Sequence, residues 1–318
     1  MADRRKTEQQ RGYAAQDAPR AMDRRMMLAL SASAGIGSLV STGAATAAEC
    51  VEDTLDRIAA SGEFNLGARE ATPPYGFKDA AGNYVGFSTD MAHAIHAGVE
   101  KELGKKVKLN YIPVTSKTRI PLLQNSTIDM EAGATVITQP RIKVVDFGVA
   151  NFLTSTEVLV PADSPIKSLG DLAGKRVGVP QGGLEEKMFR SLGSGRGLKA
   201  PITPIGFPDH PQGFIALETG SVDAYASDGP ILHGMKHKAS APSRWRVFDP
   251  GLNVFLQAFP LRPGSSKFRR IVDLTIVQMY ASGAWDQLFE KYFGPGGVAP
   301  VEKTDALRAL ALMNAWPT

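Results

Sequence analysis

The chain has 318 residues, 43% hydrophobic and 21% charged. That size suits two domains, and that balance excludes wholesale disorder. Of its 36 Lys/Arg and 32 Asp/Glu, the first 48 residues hold seven and four, so the formal charge of +4 belongs mostly to a leader; the nearly neutral remainder has no long basic run and excludes nucleic acid as the expected partner.

Residues 1–48 read as an export signal. Arg24-Arg25 stand before a mildly apolar stretch, Met26 to Val40, and Ala45-Thr46-Ala47 offers small residues for cleavage. The paired arginines and weak hydrophobicity favour the twin-arginine route, although Asp23 precedes the pair. The stretch is too short and Gly-rich to span a bilayer. No later apolar run is long enough to do so, and the mature part is expected to be soluble. The single cysteine, Cys50, excludes an internal disulfide. Glu49 stands where an acylated cysteine needs a small neighbour, so Cys50 reads as a free thiol.

Short apolar runs then alternate with amphipathic patterns, which predicts an α/β fold. Phe64 to Arg69 is a first strand, and a helix from about Thr89 carries Met91, Ile95, Val99 and Leu103 on one stripe. Lys106 to Val114 is a strand, Arg119 to Gln124 a short helix, and Met130 to Val136 another strand. A second series begins near Val160. A short capped helix at Ser168–Leu172 comes first, then strands at Arg176–Val179, Ile202–Phe207 and Val222–Ser227. Helices at Gly183–Leu192 and His210–Thr219 separate those strands, and Trp245–Phe248 and Phe255–Leu261 are further extended runs. Helical patterns close the chain at Lys267–Ala281, Ala284–Phe293 and Thr304–Met313. Two βαβ series imply two sheets, with extended crossings near 154–161 and 254–262. The division expected is lobe 1 from 49–158 and 257–318, and lobe 2 from 159–256. Ligands of open α/β sheets bind beyond the strand ends, so two facing sheets make a cleft and two crossings make a hinge.

Arginines mark those strand ends. Arg69 ends the first strand, Ser116 and Arg119 follow the second, and Arg141 follows the strand near Val136. From the second series come His210 and Asp228. Guanidinium binds carboxylate through two parallel hydrogen bonds and stays charged when desolvated. An ammonium needs an acid. The set therefore suits a zwitterion with an extra carboxylate. Blander roles stay open: a strand-end Arg as a surface charge, Ser116 and Asp228 as helix caps, His210 as a first-turn residue. Other motifs fail. Gly193 to Gly197 follows a helix and is a loop rather than a nucleotide fingerprint, and Gly174-Lys175 lacks the Ser/Thr of a phosphate loop. His233 and His237 lack a zinc-hydrolase glutamate and read as a solvated helix face. No Gly-x-Ser-x-Gly nucleophile elbow is present.

Five stretches carry a family likeness. They are Gly67–Glu70, Pro73–Phe77, Gly86–Asp90, Thr115–Asn125 and Trp285–Phe293. Together they resemble family 3 periplasmic solute-binding proteins, most of all the glutamate/aspartate-binding proteins of ABC importers. The resemblance covers nearly all of the mature chain. It implies a type II periplasmic binding protein fold of two α/β lobes joined by a two-strand hinge. It also implies a monomer in the periplasm that needs no cofactor or metal and serves an ABC permease. By the same resemblance Arg141 grips the α-carboxylate and Asp228 the α-ammonium, while Arg69, Ser116, Arg119 and His210 surround the side-chain carboxylate. Two departures stand out. Ala134 and Val136 replace the hydroxyl residues expected at the α-carboxylate, leaving Thr135 between them. Pro180 to Leu184 replaces a Thr-rich loop, where the backbone N–H groups around Gly182, Gly183 and the start of the next helix are expected to receive the anion instead. A dicarboxylate or modified amino acid is a related option. The alternative function is a cyclohexadienyl dehydratase acting on arogenate or prephenate, with Glu185 or Glu186 as its acid; both read as solvated helix residues.

Overall fold

Strand Glu63–Ala68 lies second in a five-stranded sheet whose first three strands are parallel. It pairs with Lys108–Pro113 on one side and Met130–Ala132 on the other. Pro260–Leu261 and Asp146–Phe147 complete the five strands antiparallel. A computed structural model describes residues 52–192 and 198–317. All of these belong to one compact unit. The leader, Cys50 and the glycine loop 193–197 lie outside the described residues.

The second sheet is built around the ten-residue strand Phe152–Pro161. Ala224–Asp228 and Trp245–Phe248 flank its later half, antiparallel to it. Arg176–Pro180 and Thr203–Phe207 extend the sheet in parallel beyond Ala224–Asp228. The first residues of Phe152–Pro161 instead pair with Val254–Gln257, Phe152 opposite Gln257. Both crossings are thus one antiparallel ribbon joining two α/β halves.

Burial follows the strand period. Val158 and Val160 face one apolar cluster with Val177, Val179 and Phe189, whereas Leu159 between them joins the larger cluster on the opposite face. The larger cluster is rich in aromatics. Phe152 packs on Tyr75 at 5.5 Å and on Phe293 at 5.0 Å, and Phe87 meets Trp285 edge-on at 5.9 Å. The root of the ribbon is therefore fixed in the first half.

Expected and observed elements agree within about two residues for most helices. The strand from Met130 stops at Ala132, and Val136 keeps only an isolated bridge to Gln257. Helix Phe87–Leu103 starts two residues early, and His233 and His237 do lie on a helix, Gly229–Lys238. A small sheet of Ala71–Thr72, Gly76–Lys78 and Tyr84–Val85 lies beside the first strand end. Among the described residues no helix is long and apolar enough to cross a membrane.

Candidate functional site

A small cleft cavity lies between the strand ends of the two sheets. Arg69, Ser116, Arg119 and Arg141 line it from the first half, and His210 and Asp228 from the second. Six residues picked from sequence thus meet in one place. Local structure explains how. Arg69 follows its strand directly, and Arg119 opens the short helix Arg119–Gln124. Thr138 caps the single turn Gln139–Ile142, which presents Arg141. Asp209 caps the helix that begins at His210 by accepting from Gln212 N–H at 2.9 Å.

Arg69 and Arg119 are almost fully buried. Arg69 donates through Nη1 to Ser116 Oγ at 3.4 Å. Arg119 stands 3.6 Å from Glu131 Oε1, yet its Nε and Nη1 have no hydrogen-bond partner among the described residues. Buried polar groups are nearly always hydrogen-bonded, so guanidinium N–H groups left without an acceptor in a cleft fit a binding site. Arg141 donates to the Val136 carbonyl at 2.7 Å. Burial, with Arg119 nearby, lowers Arg69 and Arg141 to about 10, and both stay charged at neutral pH.

Asp228 ends its strand, and its carboxylate caps no helix N–H. Oδ1 accepts from Gln257 Nε2 at 3.0 Å. Burial, then the charge of Glu185, pushes Asp228 up to about 7. His210 corrects the count of cationic groups. Burial beside Arg69 and Arg119 drives it down to about 3, so it is a neutral ring near pH 7. Its Nδ1 lies 3.0 Å from the Tyr225 hydroxyl.

Three expectations change. Thr135 does not line the cavity. Ala134 and Val136 do, so Thr135 between them faces the other way and donates to Glu131 Oε2 at 2.6 Å. The Gly182 and Gly183 N–H groups are already taken, by Glu186 Oε2 at 2.8 Å and the Pro180 carbonyl at 2.9 Å. They are not free to receive an anion. Glu185 is buried and lines the cleft, whereas it reads as solvated in the sequence. Glu186 answers to the solvated reading better, pairing with Arg190 at 3.1 Å on the helix surface.

Glu131 and Gln257 are missed in the sequence. Glu131 sits in an apolar run, and a side chain on Gly133 would collide with its carboxylate at 2.1 Å. The glutamate-x-glycine spacing was the available signal. Gln257 gave none, since only the pairing of the crossings brings it to Asp228. His233 meets Glu157 at 3.2 Å and is not simply solvated. Among the described residues no group of His, Cys, Asp and Glu is arranged to hold a metal.

The comparisons place this geometry in a family. Residues 64–295 match the bacterial extracellular solute-binding proteins, family 3. The chain is 32% identical to an L-glutamate/L-aspartate-binding protein of Pseudomonas aeruginosa, over 85% of this chain and 88% of that one. A glutamate/aspartate import solute-binding protein of Escherichia coli is 33% identical, with 84% and 86% covered. Among solved structures, an ancestral amino acid-binding protein, precursor of cyclohexadienyl dehydratase, aligns with a TM-score of 0.65 at 29% identity, over 75% of this chain and 99% of that one. With its two sheets, paired crossings and cleft, the fold is that of a type II periplasmic binding protein. This chain belongs to the family 3 bacterial extracellular solute-binding proteins.

Proposed function

We propose that the chain is an exported, non-catalytic receptor that captures an acidic amino acid, glutamate or aspartate, in the periplasm for an ABC importer. One observation carries this reading. Three guanidinium groups, one with unpartnered N–H groups, converge on a buried cavity whose opposite wall holds a carboxylate. Arg141 takes the α-carboxylate, Asp228 the α-ammonium, and Arg69, Ser116, Arg119 and the neutral His210 the side-chain carboxylate. Residues 49–158 with 257–318 form one lobe and 159–256 the other. The ribbon of Phe152–Pro161 and Val254–Gln257 is the hinge on which they close. Residues 1–48 direct export, and the mature monomer needs no cofactor.

A thermal-shift panel tests this. Ligand at about 100 times its Kd stabilises the fold by about 2.7 kcal/mol, which moves the melting point by several degrees. Glutamate or aspartate is expected to give that shift, with glutamine smaller and arginine none. No shift with any anionic amino acid defeats the proposal.

Buried Glu185 favours one second reading, a dehydratase that acts on arogenate or prephenate with Glu185 as general acid. Asp228 argues against prephenate, which has no ammonium to pair with it, but would serve arogenate, which has one. Aromatic product formed from either substrate would establish the enzyme instead.

A further inference from the structure

Glu185 is the one acid at the cleft that the binding scheme leaves without a task. It sits in the first turn of helix Leu184–Leu192, 7% exposed, on the cavity wall. The backbone makes room for it. A side chain at Gly183 would meet Glu185 Oε2 at 2.9 Å. Glu185 has no ion-pair partner among the described residues, unlike Glu131 beside Arg119.

Its surroundings divide by sign. Arg119 and Arg141 face it from the first half, Tyr225 and Asp228 from strand Ala224–Asp228. Arg69 and the neutral His210 line the same cavity. On its own helix Glu186 is held by Arg190 and the Gly182 N–H, with Lys117 acting across the cleft mouth. Lys187 lies on the outer rim.

The formal charges at the cavity balance. On the wall Arg69, Arg119 and Arg141 stand against Asp228 and Glu185, and Glu131, buried behind Arg119, supplies the third negative charge. An acidic amino acid brings one net negative charge into this closed space. Buried net charge is expensive, and a carboxyl without a cation partner neutralises most readily. A neutral carboxyl also gains an O–H donor. Ala134 and Val136 supply no hydroxyl here, and the loop N–H groups are occupied.

We propose that Glu185 is a proton-linked specificity residue, taking one proton from solvent as an acidic amino acid enters and donating its O–H to the carboxylate gripped by Arg141. This rests on the function proposed above. Burial already raises Glu185 above the ordinary carboxylate range, in the direction the step needs. A neutral amino acid such as glutamine needs no such proton.

Calorimetry of the full chain in buffers of different ionisation enthalpy counts the protons. At about pH 8.5, above the titration of Asp228, glutamate binding is expected to draw about one proton and glutamine none. Over that range the Kd for glutamate rises about tenfold per pH unit. Glu185→Gln removes both the uptake and the slope. Binding of glutamate by the wild type without proton uptake overturns the inference and leaves the function standing. Uptake that persists in Glu185→Gln overturns it equally. If glutamate and aspartate bind at no pH, the function falls and this inference with it.

Discussion

Replacing Asp228 by asparagine is expected to weaken amino-acid binding by about 2–5 kcal/mol while making the ligand-free protein more stable above neutral pH. The two effects share one cause. Asp228 is buried, accepts a side-chain hydrogen bond from Gln257, and is pushed from 3.8 to about 7 before any ammonium arrives. The folded state therefore holds its proton more tightly than the unfolded state. The stabilisation from that proton is complete below the unfolded value and is lost as pH rises through about 7. Asparagine cannot ionise and escapes the loss, which amounts to roughly 2–4 kcal/mol for a gap of this size. Melting curves at about pH 5 and about pH 8.5 read it: the variant gains more over wild type at the higher pH. Equal melting at both, or unchanged affinity, would remove Asp228 from the ammonium site.

Arg119→Met is expected to destabilise the fold by about 3–5 kcal/mol and to abolish binding. Glu131 is completely buried and lies 3.6 Å from the guanidinium, with Thr135 as its hydrogen-bond donor. Without Arg119 its charge loses its ion-pair partner and keeps only the weaker attraction of Arg69 and Arg141. Adding Glu131→Gln to Arg119→Met removes the stranded charge and restores most of the melting temperature but none of the binding. That coupling separates support from recognition. Purely additive losses would mean that the pair does not act as a unit.

The sequence carried much of this because charge at a strand end is a sparse signal. Arg69, Arg119 and Arg141 stand out against apolar runs, and the alternation of runs places them at one edge. Glu185 was not legible. Its helix pattern gives the same reading whether the first turn meets solvent or a second lobe, and only the facing half buries it. Asp228 looked like a helix cap, because Asp-Gly-Pro suits one. Its carboxylate turns to Gln257 instead, a contact between residues 29 apart in the chain. His210 suggested a cation until burial between two guanidiniums made it neutral. The three short strands near Tyr75 have two or three residues each, too few to show a period. Extended chain at 134–136 alternated as expected, yet carried Thr135 away from the cavity, because the apolar neighbours took the inward positions.

Titration of L-glutamate against L-glutamine by calorimetry reaches the central claim most directly. One-to-one binding of glutamate, at least about tenfold tighter than glutamine, is the predicted result, since an amide cannot pair a buried guanidinium as a carboxylate does. Glutamine or arginine bound as tightly as glutamate, or no heat from glutamate at all, would contradict it.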